Sequence, residues 1–174
     1  MGTGPPMAGQ PVVAFGAAAG FVHPATGYQM AKMLRMGPGV ADEMAAAIRC
    51  GLASDAIAGR VEEVMWPAPM RRAYGLLCFG MEILLGFDHP STSRFFEAFF
   101  ALPDSDWRAY MSGETGPQRL ATIMWRVFRR APMSMRYQLG RRALVEHGAL
   151  RRALWSPDKP ALAAAVKNSK ERDG

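Results

Sequence analysis

The 174 residues of this chain are 49% hydrophobic and 21% charged, and their formal net charge at pH 7 is +6. This composition excludes a disordered or fibrous protein, and the length is enough for one domain with a core of its own. The longest apolar run, residues 76–87, is shorter than the roughly 18 apolar residues that a membrane-crossing helix needs, and it also contains Glu82. Cys50 and Cys78 have apolar neighbours, which favours buried free thiols and a reduced, cytosolic setting.

Residues 1–11 are rich in glycine and proline and predict an irregular lead. Residues 12–15, VVAF, are a short apolar run with β-branched side chains, which predicts a buried strand. Residues 16–20 are all glycine or alanine and predict a turn, and a helix is expected to start near Thr26 or Gly27. A strand, a small-residue turn and a helix N-terminus let backbone N–H groups approach a ligand closely. The same pattern also serves tight strand–helix packing, and the residues alone leave both interpretations open.

Helices are predicted for most of the remaining chain. The first is expected to break at the GPG sequence of residues 37–39, a second follows it, and Ser54 is expected to cap a third. In residues 117–131, apolar side chains recur at helical spacing and predict one buried stripe, made of Leu120, Ile123, Met124, Val127 and Phe128. Asp88, ahead of Pro90, predicts a helix cap rather than an acid, with Ser91 or Thr92 near the cap. Residues 156–174 predict a flexible tail.

Glu82 is the most notable carboxylate, because its helix is apolar on nearly all sides and is therefore expected to be internal. A buried carboxylate needs a partner. One interpretation is an ion pair with an arginine at position 71, 72 or 94, and the other is a weak candidate catalytic group that steadies a cation beside a substrate channel. Four phenylalanines on the next predicted helix are expected in the core, or along such a channel: Phe95, Phe96, Phe99 and Phe100.

The positive charge is local, with nine arginines and one acidic residue between positions 119 and 152. This surface suits lipid headgroups, nucleic acid or an acidic protein, but no nucleic-acid reading motif accompanies it, so nucleic acid is not expected as a partner. Trp125 beside Arg126 is typical of plain helix surface or of a membrane interface. His89 and His147 stand apart from other ligand types, so no metal is predicted. His23, before a proline, is interpreted as a hydrogen-bonded turn residue in preference to a catalytic one.

Five sequence blocks occur in a characteristic order: FGAAAGFVHPATGY (15–28), WPAPMRR (66–72), FGMEILLGFD (79–88), RFFEAFFALP (94–103) and WRAYMSG (107–113). In these blocks the chain resembles the C-terminal half of flavin-dependent lycopene cyclases of the plant and bacterial β-cyclase type. The resemblance implies that this chain is mainly α-helical with one short N-terminal strand. It would form the C-terminal part of an α+β flavoprotein fold like that of monooxygenases and geranylgeranyl reductases. Residues 12–65 would be the last strand–turn–helix of the FAD-binding domain plus helices, and residues 66–155 a helical C-terminal domain.

The resemblance also implies an activity, which is cyclisation of the ψ-ends of lycopene to β-rings in carotenoid biosynthesis. Reduced FAD is the implied cofactor, with NAD(P)H as electron source and no net redox change. The residues implied to contact FAD are Gly16, Ala17, Gly20, His23, Pro24, Thr26, Gly27 and Tyr28. Related flavoproteins usually place an aspartate where this chain has Ala17. The implied partners are lycopene or another carotenoid and a membrane surface, with the protein peripheral on the cytoplasmic side.

Two family features are not found in this sequence: the G-x-G-x-x-G turn that holds the ADP part of FAD, and the mid-chain acidic motif that supplies the essential carboxylate. The chain therefore resembles the second half of a cyclase, and we expect it to be inactive alone. A companion chain that carries the N-terminal half is a further expected partner. The alternative function is a non-catalytic peripheral membrane or carotenoid-binding helical module.

Overall fold

The computed structural model describes residues 11–145, in which a one-turn 3₁₀ helix, Gly16–Ala19, precedes seven α-helices. These are α1 (Met30–Arg49), α2 (Ser54–Met65), α3 (Ala68–Leu85), α4 (His89–Phe100), α5 (Asp104–Ser112), α6 (Pro117–Arg130) and α7 (Met133–Val145). The described residues form two compact units: unit 1 holds residues 11–21 and 29–67, and unit 2 holds residues 22–28 and 68–145. None of the helices from α1 to α7 combines the length and the apolar character that crossing a membrane requires.

The predicted strand at residues 12–15 does not form, and residues 11–145 contain no strand. The expectation of an N-terminal strand within an α+β flavoprotein fold is therefore wrong for this part of the chain. Phe15 does have extended dihedral angles, with φ −136° and ψ 155°. A strand needs a neighbour to pair its backbone N–H and C=O groups, and the described residues supply none. Val12 is 72% exposed, so the apolar run is not buried either.

Helix α1 passes through the residues that were expected to break it. It begins at Met30, later than predicted, and Pro38 lies inside it. Proline lacks the N–H group that a helix interior uses, at a cost of about 3 kcal/mol. Packing against α2 outweighs this cost, because Val40 and Ala47 of α1 are buried together with Val61 of α2.

Unit 1 is also joined by an ion pair and an indole contact. The guanidinium of Arg60 on α2 lies 2.6 Å from the carboxylate of Glu43 on α1. Trp66, directly after α2, is 2% exposed and packs edge-on against Phe21 with ring centroids 5.9 Å apart. Helices α1 and α2 are packed neighbours, joined by a short loop that turns at Gly51, where φ is 67°.

In unit 2, α6 packs against α3, α4, α5 and α7. The apolar stripe predicted for α6 is confirmed for Leu120, Ile123 and Val127, which are at most 4% exposed, whereas Met124 and Phe128 are half-buried. Leu120 packs on the buried face of α3, and Ile123 and Val127 pack with Phe99 of α4. This arrangement places the aromatic residues of α4 and α5 around one side of α6.

Asp88 caps α4 as predicted. Its side-chain oxygen accepts the Ser91 backbone N–H at 3.0 Å, and Pro90 lies in the first turn.

The two cysteines differ in exposure. Cys50 is exposed, so its predicted burial is wrong. Cys78 is half-buried, and burial raises the pKa of its thiol. The predicted irregular lead, residues 1–11, lies outside the described residues except for Pro11. The predicted tail, residues 156–174, lies wholly outside them. The predicted domain boundaries stay predictions.

Candidate ligand-binding sites

The small-residue turn (residues 16–20) lies in unit 1 and is held by its own backbone. Gly20 and Phe21 donate N–H groups to the carbonyls of Ala17 and Gly16, both at 3.0 Å. Gly16 has φ 67°, and a Cβ atom there would lie 3.0 Å from Cε of Met33. This glycine is therefore required by backbone conformation and close packing. Ala17 is exposed, so a ligand approaching the main chain at that point would meet only a methyl group.

A lysine and two aromatic rings support this turn. The indole N–H of Trp66 donates to the carbonyl of Ala19 at 2.7 Å. The Lys32 ammonium lies 3.7 Å from the ring centroid of Trp66 and 4.5 Å from that of Phe21. Burial lowers the pKa of Lys32 to about 8. The sequence analysis missed Lys32, and its one signal was a cation in the first turn of a helix, where the helix dipole disfavours positive charge.

His23 lies in unit 2, where it joins the 22–28 loop to α5. Its Nδ1 accepts the Ala25 N–H at 3.2 Å, so the ring proton is assigned to Nε2, which donates to the carbonyl of Tyr110 at 3.2 Å. The ring is buried, and a Cβ atom on Gly113 would lie 2.9 Å from its Cδ2. The interpretation of His23 as a hydrogen-bonded turn residue is confirmed.

The eight residues expected to contact FAD are distributed over both units. Gly16, Ala17 and Gly20 belong to unit 1, whereas His23, Pro24, Thr26, Gly27 and Tyr28 belong to unit 2. The loop in unit 2 is closed by two backbone hydrogen bonds of 2.9 Å between His23 and each of Gly27 and Tyr28. Tyr28 is 78% exposed. Contact of these residues with FAD stays a prediction.

An apolar cavity of about 310 Å³ lies inside unit 2, among helices α3 to α7. Six aromatic side chains line it: Phe79, Phe95, Phe99, Tyr110, Trp125 and Phe128. The polar hydrogen-bonding groups of its lining side chains are the Tyr110 hydroxyl and the Trp125 indole N–H, and none of its lining residues carries a carboxylate. Pockets for small molecules typically measure about 300–1,000 Å³ and are mostly apolar with few polar groups, so this cavity suits a compact apolar ligand.

The structure brings two of the four predicted channel residues to this cavity. Phe95 and Phe99 line it, and their rings stack with centroids 6.2 Å apart. Phe96 and Phe100, 39% and 52% exposed, stack on each other at 6.0 Å along the neighbouring face of α4. The spacing of four residues explains both pairs, because such residues lie on one helix face. Their role with substrate stays a prediction.

Glu82 is exposed on α3, contrary to the expectation of an internal carboxylate, and its catalytic role stays a prediction. The buried carboxylate is that of Asp106 on α5, which the sequence analysis missed. Arg126 donates to it at 2.5 Å, and a guanidinium nitrogen of Arg119 lies 3.7 Å away. Asp106 does not line the cavity, so this cluster joins α5 to α6. Within residues 11–145, no group of three or more His, Cys, Asp or Glu side chains could hold a metal ion.

The surface of α6 and α7 combines exposed apolar side chains with arginines. Trp125 is 57% exposed, Tyr137 is 72% exposed, and Met133 is 74% exposed. Arg129 and Arg130 are exposed at the end of α6. We call these five residues the α6–α7 surface. Exposed apolar side chains and arginines both suit the headgroup region of a lipid bilayer.

Comparisons with known proteins agree on one family. The family model for lycopene cyclase proteins matches residues 1–137. A chloroplastic lycopene beta cyclase of an Oncidium hybrid cultivar is 36% identical over 139 residues, which are 80% of this chain and 29% of that protein. An uncharacterized carotenoid cyclase of Deinococcus radiodurans is 38% identical over 156 residues, 90% of this chain and 36% of that protein.

A lycopene beta cyclase of Synechococcus elongatus is 33% identical over 132 residues, 75% of this chain and 32% of that protein. This chain therefore spans about a third of the length of these curated relatives. No solved structure matches it.

Proposed function

This chain belongs to the lycopene cyclase family, and from that premise we propose that it is part of an enzyme that cyclises the ψ-ends of lycopene to β-rings. The observation that carries the proposal is the aromatic cavity of unit 2. Closing a ring on a hydrocarbon chain passes through a carbocation, which water would quench. An apolar site lined by aromatic faces disfavours water and attracts positive charge.

The reaction balances without oxidation or reduction. A proton adds to the terminal double bond, a carbon–carbon bond closes the ring, and a proton leaves a ring carbon. The lining residues of the cavity bind and orient the chain end, and the phenyl faces of Phe95 and Phe99 lie beside it. Because no carboxylate lines the cavity, we propose that the proton donor comes from a part of the enzyme other than residues 11–145.

We propose reduced FAD as the cofactor, with NAD(P)H as the source of its electrons. When bound, the reduced flavin supplies an electron-rich ring that can donate a proton or steady a cation. In unit 1, the small-residue turn fits one face of a flat ligand, because Ala17 is exposed and carries only a methyl group. Gly16 and Gly20 fix this turn through their positive φ angles of 67° and 74°.

The chain alone is proposed to be inactive, because it spans only about a third of the length of its relatives and has no G-x-G-x-x-G turn. Expression in a lycopene-making host tests this. We expect unchanged lycopene from the chain alone, and cyclised carotenoid when a companion polypeptide carries the N-terminal part of a related cyclase. Cyclised product from the chain alone would overturn its proposed dependence on a companion.

A matched pair of variants tests the cavity in the reconstituted enzyme. Phe99→Ala removes a lining ring, and Phe96→Ala removes an exposed ring of the same helix. We expect product to fall at least tenfold for Phe99→Ala and to stay within about twofold for Phe96→Ala, since only the first ring faces the cavity. Equal losses would argue against this cavity as the place of ring closure.

The α6–α7 surface supports a second proposal, that the protein is peripheral on the cytoplasmic side of a membrane. Lycopene dissolves in lipid, and an interface protein reaches it without crossing the bilayer. A non-catalytic membrane or carotenoid-binding module would use the same surface, and would bind carotenoid without converting it even when the companion is present.

Vesicle sedimentation tests membrane binding directly. We expect the purified chain to bind vesicles that contain anionic lipid, and to release as salt is raised. Replacing both Arg129 and Arg130 by Gln should weaken binding, whereas Arg108→Gln on the exposed side of α5 should not. Equal binding of all three proteins, without any dependence on salt, would contradict the proposed surface.

A further inference from the structure

Tyr110 differs from the phenylalanines of the cavity because it brings a hydroxyl into an apolar wall. Its ring packs edge-on against Phe99, with centroids 5.3 Å apart, and against His23, with centroids 6.4 Å apart. Its backbone carbonyl accepts the His23 N–H. Two ring contacts and the hydrogen bond to its backbone carbonyl thus hold the Tyr110 side chain in place.

The hydroxyl of Tyr110 occupies a space that a glycine leaves open. A Cβ atom on Gly80 would lie 2.9 Å from the Tyr110 oxygen, and both residues line the cavity. The Tyr110 hydroxyl is one of two polar side-chain groups on the cavity wall, and the other is the indole N–H of Trp125. Ligand pockets use a few polar groups in a mostly apolar wall to orient the ligand, so this hydroxyl is placed to meet one.

The electrostatic character of this group is that of a neutral dipole. Burial raises the pKa of Tyr110 to about 12, so the hydroxyl keeps its proton at neutral pH. Its oxygen lone pairs carry partial negative charge, and the faces of the surrounding phenyl rings do as well. Against an apolar wall such fixed dipoles act more strongly on a charge than they do in water.

We infer that the oxygen of Tyr110 contacts the positively charged carbon of the ring that closes in this cavity, and so makes the cavity select a cationic ring over an uncharged one. This inference rests on the proposed cyclase function, because only that reaction places a cation in the cavity. No proton or covalent bond passes to Tyr110, which acts through its dipole alone.

A pair of ring probes of one shape tests the inference with the purified chain and needs no catalysis. The 1,1-dimethylpiperidinium ion carries a positive charge at the quaternary atom, and 1,1-dimethylcyclohexane has a carbon there instead. Binding is followed by the NMR shift of the Met124 methyl group, since Met124 lines the cavity. The quantity compared is the ratio of the two affinities, in wild type and in Tyr110→Phe, so the different hydration of the two probes cancels.

Tyr110→Phe keeps the ring and removes the oxygen. We expect the affinity ratio to shift toward the uncharged probe by roughly three- to tenfold, a range typical of losing one favourable dipole from a cation site. Tyr137→Phe is the matched control, because Tyr137 is 72% exposed on α7 and loses the same atom outside the cavity. Its ratio should equal that of wild type.

The outcomes separate this inference from the function on which it rests. Binding of both probes with one ratio in wild type and Tyr110→Phe overturns the role of the hydroxyl and leaves the cavity as a ring site. Failure of both probes to bind any variant overturns the cavity as a site for a ring, and with it the geometric basis of the proposed function. A shift in Tyr110→Phe that Tyr137→Phe shares also overturns the inference.

Discussion

The imidazole of His23 donates a hydrogen bond to the carbonyl oxygen of Tyr110, a residue 87 positions later in the chain. A residue of the FGAAAGFVHPATGY block is thereby tied to the wall of the aromatic cavity within unit 2. The bond uses one ring nitrogen, and the other accepts the N–H of Ala25. His23 therefore hydrogen-bonds two backbone groups at once, and its removal takes a partner from each.

His23→Ala is expected to lower the free energy of unfolding of unit 2 by about 2 kcal/mol, because a buried carbonyl loses its donor and the ring leaves a gap. Urea titration at pH 7 measures the change. His89→Ala is the control, since His89 is exposed at the start of α4 and its loss should cost less than about 0.5 kcal/mol. Equal effects of the two variants would contradict a supporting role for His23.

Gly113→Ala is expected to destabilise the protein by about 2 kcal/mol, because two costs add. Gly113 has φ 69°, which an alanine adopts poorly, and its Cβ atom would lie 2.9 Å from Cδ2 of His23. Gly59→Ala, in the middle of α2, meets nothing within 4 Å and should stabilise by about 0.5–1 kcal/mol. Thermal unfolding of both variants checks the opposite signs, and stabilisation by Gly113→Ala would contradict the described turn.

Local patterns in the sequence predicted the features that depend on local physics. The buried stripe of α6 follows from the helical repeat, and the cap at Asp88 follows from its side-chain chemistry ahead of Pro90. The strand at residues 12–15 was wrong because pairing depends on a neighbour that no local pattern reveals. The break at Pro38 was wrong because burial between two helices outweighs a local preference.

The residues of the candidate site also differ in how well the sequence predicts them. The spacing of its phenylalanines predicted an aromatic α4 but not which pair lines the cavity, because Phe96 and Phe100 recur at the same interval as Phe95 and Phe99. Tyr110 and Asp106 were missed because their importance comes from partners far away in sequence. Asp106 meets an arginine 20 positions later, and the Tyr110 hydroxyl depends on the missing side chain of Gly80.

Asp106→Asn is expected to destabilise the protein by about 2–3 kcal/mol, because the buried carboxylate holds two arginines of α6 against α5. The loss of stability is moderate because both arginine side chains are more than half exposed. Asp104→Asn, which breaks an exposed pair with Arg108 at 3.7 Å, should cost less than about 0.5 kcal/mol. Chemical unfolding compares them, and equally small losses would show that the cluster does not join the helices.

Lys32 is expected to make stability depend on pH in the alkaline range. Burial lowers its pKa in the folded chain to about 8, from an ordinary value of 10.5. Below pH 8 the amine is protonated in the folded and unfolded chains alike, and the folded chain bears the full cost of burying the charge. Between about pH 8 and 10.5 the unfolded chain binds more protons, so the contribution of Lys32 to the free energy of unfolding rises with pH.

Comparison of wild type with Lys32→Met over pH 7 to 11 isolates this contribution, since the titrations of other groups cancel in the difference. We expect the advantage of the methionine variant to be largest below pH 8 and to shrink steadily toward pH 10.5. The contact of the ammonium with Trp66 offsets part of that advantage without changing its direction with pH. Arg49→Met is the control, because a guanidinium stays protonated throughout this range and should give a flat difference. A flat difference for Lys32→Met as well would mean that the ammonium is not desolvated beside Trp66 and Phe21.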